Sequence, residues 1–131
     1  MFIDANIFIL GVLGQDALAI RSRKFLKRLE SGEQNAMTSV MVLGEVLKVL
    51  NRKLESRPEA VLWVRRIMAY PNLKICGLER AQFDASLPFF SQGLKPYDAL
   101  HAATMREHGI CEILSFDSDF DKIDGIRRAE P

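Results

Sequence analysis

The stretch Pro96-Tyr97-Asp98-Ala99-Leu100-His101-Ala102-Ala103-Thr104-Met105-Arg106-Glu107-His108-Gly109-Ile110-Cys111-Glu112-Ile113-Leu114-Ser115-Phe116-Asp117 holds one whole helix and one whole strand. Pro96 presets the helical φ and sits where a first-turn N–H has no partner anyway, so it opens a helix running through Asp98 to Met105. His108-Gly109 ends it, the glycine supplying a left-handed cap. The apolar run Cys111 to Ser115 follows at once and is expected as a buried strand, with Asp117 just past its carboxyl end.

The same alternation extends toward both termini. Met1 to Ile3 is expected as a short strand ending at Asp4-Ala5-Asn6, with Asn6 capping a helix that starts at Ile7. A long mixed helix covers Asp16 to Glu30 and closes at Ser31-Gly32. Ala36 to Thr38 forms a second short strand, and Ser39 is the N-cap of a helix that passes Glu45 toward Leu54. Another helix opens near Pro58, contains Trp63 and Ile67, and stops at Tyr70-Pro71, because the residue before proline avoids the helical basin. Leu73 to Cys76 reads as a strand, Glu79 to Ser91 as a helix bent or started near Pro88, and Gly125-Ile126-Arg127 as a last edge strand. Short apolar strands separated by helices predict a central parallel sheet covered on both faces, a three-layer α/β/α fold in one domain over residues 1–131.

Composition narrows the function classes. The chain of 131 residues is 48% hydrophobic and 27% charged, a globular composition that excludes disordered and collagen-like classes. Eighteen Lys and Arg against 17 Asp and Glu leave +1, so nucleic-acid binding has to come from local clusters rather than a basic field. Cys76 and Cys111 offer neither zinc spacing nor a disulfide framework, and both are expected as small buried hydrophobes. The sequence opens on Phe2-Ile3-Asp4 without a basic and apolar leader, and no uncharged stretch nears the ~20 residues that span a bilayer, so a cytoplasmic protein without membrane contact is expected.

In a parallel sheet the strand carboxyl ends share one edge, where ligands bind. Asp4, Asp98 and Asp117 should meet there. Singly, each has a plain explanation as a turn cap or as an answer to a helix dipole. Glu45 is harder to explain, because Met41, Val42 and Val49 flank it one turn away and a carboxylate among apolar groups needs a counter-charge. Lys48, one turn on, is one partner; a cation shared with the other acids is the second, and helical spacing supports both. Four carboxylates from four segments, with no His or Cys ligand set, suit a hard cation such as Mg²⁺ or Mn²⁺. Carboxylates about 5 Å apart repel by roughly 3 kcal/mol at an effective dielectric of ~20, and a metal removes that conflict. Magnesium binds phosphate oxygens while keeping most of its water, which points to phosphodiester hydrolysis.

Asp4-Ala5-Asn6, Ser39 with Val42-Leu43-Gly44-Glu45, Tyr97-Asp98-Ala99-Leu100-His101-Ala102-Ala103, and Ser115-Phe116-Asp117-Ser118-Asp119-Phe120 resemble, in order and across the whole chain, the four acidic motifs of PIN-domain ribonucleases. The resemblance is greatest to VapC-type toxins of toxin–antitoxin pairs. It implies Mg²⁺- or Mn²⁺-dependent cleavage of RNA, a homodimer, and inhibition by a small antitoxin. Asp4, Glu45, Asp98 and Asp117 are then the metal-binding acids, with Asn6 and Ser115 in support. Asp119 is an alternative ligand to Asp117, because the family uses either register of the last motif. Ala5 departs from the family's usual Thr or Ser and removes a hydroxyl from the site.

Other readings fit less well. A PIN-domain RNA-processing nuclease outside toxin–antitoxin systems would carry the same acids. Aspartyl phosphatases have Asp-x-Asp after the first strand, where this chain has Asp4-Ala5-Asn6. A phospho-receiver or other non-catalytic module on a Rossmann-like sheet would carry an acidic pair at the first strand and a lysine after a later one, and neither is evident. Arg21, Lys24, Lys27 and Arg28 share helical spacing and could grip an RNA backbone, although a solvated helix face accounts for them too. His101 is expected as a packed supporting residue rather than a general base, and Trp63 and Phe89-Phe90 as core or interface groups.

Overall fold

Phe2 and Ile3, fully buried, begin a sheet whose five strands are all parallel. In the computed structural model, which describes residues 1–131, the elements are β1 (Phe2–Ile3), α1 (Ala5–Leu13), α2 (Ala17–Glu30), β2 (Ala36–Ser39), α3 (Val40–Leu54), α4 (Arg57–Met68), β3 (Leu73–Cys76), α5 (Arg80–Ser91), α6 (Pro96–Glu107), β4 (Glu112–Leu114), a 3-10 turn (Ser118–Lys122) and β5 (Arg127–Ala129). The strand order is β3-β2-β1-β4-β5. From β1 the chain steps twice in one direction, to β2 and β3, then crosses back to β4. Right-handed crossovers therefore put α1–α4 on one face and α5–α6 on the other. The chain reverses its direction of winding beside β1 and β4, and a crevice at the carboxyl ends of those strands is where such sheets bind ligands.

Registers bring distant residues level: Phe2 pairs with Met37 and Ile113, and Ile3 with Leu114. Asp4 and Ser115 thus emerge side by side. The main core lies between the sheet and α1–α4, with Phe8, Val42, Val46, Leu50 and Ile67 almost wholly excluded from water. A smaller cluster of Phe89, Leu94, Ala99, Ala102, Ala103 and Ile123 seats α6. Every residue of α6 from Ala99 to Met105 is buried, as expected for a helix enclosed on all sides. Gly109, at φ +64°, turns the chain from α6 into β4.

Three expectations change. Asp4, not Asn6, caps α1, because the helix starts at Ala5 and the extended backbone of Asp4 lets its Oδ1 accept the Ala5 N–H at 2.6 Å. Pro88 lies inside α5, which starts at Arg80, so the helix does not start at Pro88. Cys111 is exposed, since β4 begins one residue later at Glu112, whereas Cys76 is buried as expected and donates to the Thr38 carbonyl.

Candidate active site

The deepest acid is Asp4, 6% exposed. Its Oδ2 accepts hydrogen bonds from Ser115 Oγ and Asn6 Nδ2, each at 2.6 Å. Ser115 Oγ also accepts from Asn6 Nδ2 at 2.9 Å and from the Asp117 N–H at 3.0 Å. One hydroxyl therefore joins the end of β1 to the end of β4, and its donor and both lone pairs are used. Burial still pushes the Asp4 carboxyl above its ordinary value, against the opposing pull of the Ser115 hydrogen bond.

Glu45 reaches this point from α3. Its hydrogen-bond partner is not Lys48 but His101, whose Nε2 lies 3.0 Å from Glu45 Oε2. His101 is 1% exposed and its Nδ1 has no partner; a carboxylate only accepts, so Nε2 carries the hydrogen of this bond. Ligand atoms of Asp4, Glu45 and His101 lie within 4.8 Å of one another.

A second triad stands beside the first. Asp98, Asp117 and Asp119 also bring oxygens within 4.8 Å of one another. Asp98 is pushed up to about 6, first by burial and then by the charges of Asp4 and Asp117, so the two triads share one field. Asp117 follows β4, caps the 3-10 turn by accepting the Asp119 N–H at 2.9 Å, and places Oδ2 3.0 Å from Lys95 Nζ. The same ammonium lies 2.9 Å from Asp119, and Lys122 lies 2.6 Å from that carboxylate's other oxygen. Hydrogen bonds from Lys122 and Lys95 hold Asp119 down at about 2. Both registers of the last acidic motif thus reach one place.

The donor set fits a hard divalent cation. Five carboxylates converge, Lys95 and Lys122 answer only Asp117 and Asp119, and no ion pair reaches Asp4 or Asp98. The Asp98 carboxyl, raised first by burial and then by the charges of Asp4 and Asp117, has negative charge beside it that a bound cation would answer. Oxygen-only ligands of this kind suit Mg²⁺ or Mn²⁺ better than a softer metal.

The PIN domain family model matches residues 1–126. The chain belongs to the PIN-domain family. Among its relatives in that family, VapC ribonuclease Mb1869c of Mycobacterium bovis and ribonuclease VapC13 of Mycobacterium tuberculosis are each 28% identical over 131 residues, covering 98% of both chains. The fold is shared with the crystal structure of Mycobacterium tuberculosis VapC20, described as a sarcin-ricin loop cleaving toxin: TM-score 0.73 at 23% identity, covering 92% of each chain. A toxin–antitoxin complex from Klebsiella pneumoniae superposes with a TM-score of 0.67 at 19% identity, over 96% of this chain and 94% of the other. No helix is long and apolar enough to cross a membrane.

Sequence reading missed Lys95 and did not pair His101 with Glu45. A lysine directly before the Pro96 helix, three residues from Asp98, was the available signal for the first. The second requires α3 and α6 to meet. Of the basic row on α2, Arg21, Lys24 and Arg28 line one groove, but two of them have acidic neighbours. Arg21 is 3.1 Å from Glu130 and lies over the Phe116 ring, while Arg28 lies 3.9 Å from Glu33. Lys27 lines a different groove, beside Trp63.

Proposed function

We propose that the protein is a metal-dependent endoribonuclease and the toxin of a toxin–antitoxin pair. The convergence of Asp4, Glu45, Asp98 and Asp117 at the carboxyl ends of β1 and β4 carries the reading, and the ribonuclease names of the relatives support it. These four acids, with Asp119, would hold Mg²⁺ or Mn²⁺, which when bound supplies Lewis acidity toward a phosphate oxygen and an activated water at neutral pH. The chain's own groups set the stage for hydrolysis. Asn6 and Ser115 lock the Asp4 carboxylate, and the His101 hydrogen bond fixes one Glu45 oxygen. The Ser115 hydroxyl spends its donor and both lone pairs within the site and is not free to attack, and the attacking oxygen is assigned to water. Lys95 offers an ammonium to the outer acids, where a phosphate's charge would arrive.

Solved toxin–antitoxin complexes of the same fold support a small antitoxin as partner. Exposed Phe83, Leu87 and Phe90 lie along one side of α5 and support a homodimer, to be checked by sedimentation. The decisive experiment incubates purified protein with single-stranded RNA in millimolar Mg²⁺ or Mn²⁺. Cleavage that stops on adding EDTA is expected, and cleavage that survives chelation overturns the metal mechanism.

A further inference from the structure

A groove of about 450 Å³ runs along α3 from the acid cluster, and Glu45 lines it. Gly44, Lys48, Val49 and Arg52 line it too, at the three- and four-residue spacing that makes one helix face. Tyr97, the residue before Asp98, contributes an aromatic ring that is 47% exposed. Neither Lys48 nor Arg52 has an acidic oxygen within 4.0 Å, whereas Lys95 and Lys122 are taken up by Asp117 and Asp119. Gly44 weakens the helix it sits in, yet a Cβ there would meet nothing within 4 Å. Packing within the chain does not call for a glycine at this position.

Unpaired cations, an exposed ring and a bare stretch of helix beside clustered carboxylates match what a single nucleic-acid strand needs: phosphate partners, a stacking platform and close backbone approach. From Glu45 to Arg52 the helix rises about 10 Å, which a few nucleotides cover. We infer that this groove holds the RNA strand on one side of the cleaved bond, with Lys48 and Arg52 on its phosphates, Tyr97 stacked on a base beside the acids, and Gly44 leaving room for the sugar–phosphate chain. This rests on the ribonuclease reading above and adds its strand-binding track.

The test measures fluorescence anisotropy of a 5′-fluorescein oligouridylate 12-mer, in Mg²⁺ buffer, on full-length protein carrying Asp4→Asn to prevent cleavage. Adding Lys48→Gln with Arg52→Gln is expected to weaken binding about tenfold or more and to lower the slope of log Kd against log salt by about 1.4. Tyr97→Leu weakens binding about tenfold and leaves the slope unchanged, as loss of stacking should. Gly44→Gln weakens binding while the melting temperature stays level or rises, which a merely structural role would not produce. Lys53→Gln, on α3 but outside the groove, stays within twofold. Groove variants that all stay within twofold overturn the inference. So does a shift from dimer to monomer in those variants with RNA affinity unchanged, which makes the groove an interface between copies. Cleavage by the otherwise wild-type protein is assayed alongside. RNA cleaved, with groove variants that bind like their parent, removes the track alone; groove-dependent binding without any cleavage removes the nuclease reading alone.

Discussion

Asp4 and Glu45 are held by Ser115, Asn6 and His101, side chains packed into the fold, whereas Asp117 and Asp119 are held by two exposed lysines. Both arrangements collect negative charge, but they manage it differently. The inner half has its partners on α1, just past the end of β4 and on α6, whose positions the packed sheet dictates. The outer half is answered by flexible ammonium groups that an arriving cation or phosphate can displace. A site built this way keeps one wall preorganised and leaves the other adjustable.

The comparison breaks most visibly in catalysis. Asp4→Asn should lower the RNA cleavage rate by about a thousandfold or more while circular dichroism stays unchanged, because Asn keeps the shape and an Oδ1 that can still cap α1 but removes the ligand charge. A folded Asp4→Asn with wild-type rates would take the inner half out of the site. Ser115→Ala comes next. It takes away the hydroxyl donor to Asp4 and the acceptor that holds the Asp117 N–H, so activity should fall about 10- to 100-fold, as for groups that orient ligands. Urea melts should show a loss of about 1–2 kcal/mol, the cost of leaving buried groups unpaired.

Asp98, between the halves, gives a smaller effect of opposite sign. Its folded-state carboxyl is raised from 3.8 to about 6. Below pH ~4 it is protonated in both folded and unfolded chains, so its contribution to stability is fully present there. As pH rises toward 6 the unfolded chain ionises first, and that contribution is lost. In EDTA at pH 7.5, Asp98→Asn should therefore be more stable than wild type by about 1–2 kcal/mol, a figure reduced for the carboxyl's partial exposure. At pH 4 the two should converge. Millimolar Mg²⁺ should stabilise wild type more than the variant. If Asp98 only answered the helix dipole, the substitution would destabilise by roughly 0.3–1 kcal/mol at pH 7.5 and Mg²⁺ would matter little, so urea melts decide by sign.

The least change is expected at the outer lysine. Lys95→Met removes a cation that competes for the Asp117 and Asp119 oxygens, so Mn²⁺ should bind about fivefold more tightly by calorimetry. Unchanged or weaker Mn²⁺ binding would mean that Lys95 and the metal do not share those oxygens.

Much of this site can be read without coordinates, and the parts that cannot have a common cause. Asp4, Asp98 and Asp117 are legible because each lies next to a strand end or helix start that local pattern identifies, and a parallel sheet sends those ends to one edge. The Glu45–His101 hydrogen bond joins residues 56 apart in the chain, and Lys95 meets Asp117 across 22. Neither spacing leaves a periodic trace. Lys48 shows the same limit from the other side: helical spacing offers it to Glu45, yet both residues line the groove without forming an ion pair.

Local sequence was sufficient for the alternation of strands and helices, the parallel sheet and the edge where the acids gather, since capping, proline placement and apolar runs act over a few residues. Even there, Cys111 and the cap of α1 depended on where an element begins by a single residue. Tertiary structure decided the donors that come from distant segments, Ser115 for Asp4, His101 for Glu45 and Lys95 for Asp117. Charge and hydrogen-bond partners are chosen by distance in space, and the crossing of α3 with α6 and the register of β1 on β4 set those distances only when the whole sheet is assembled.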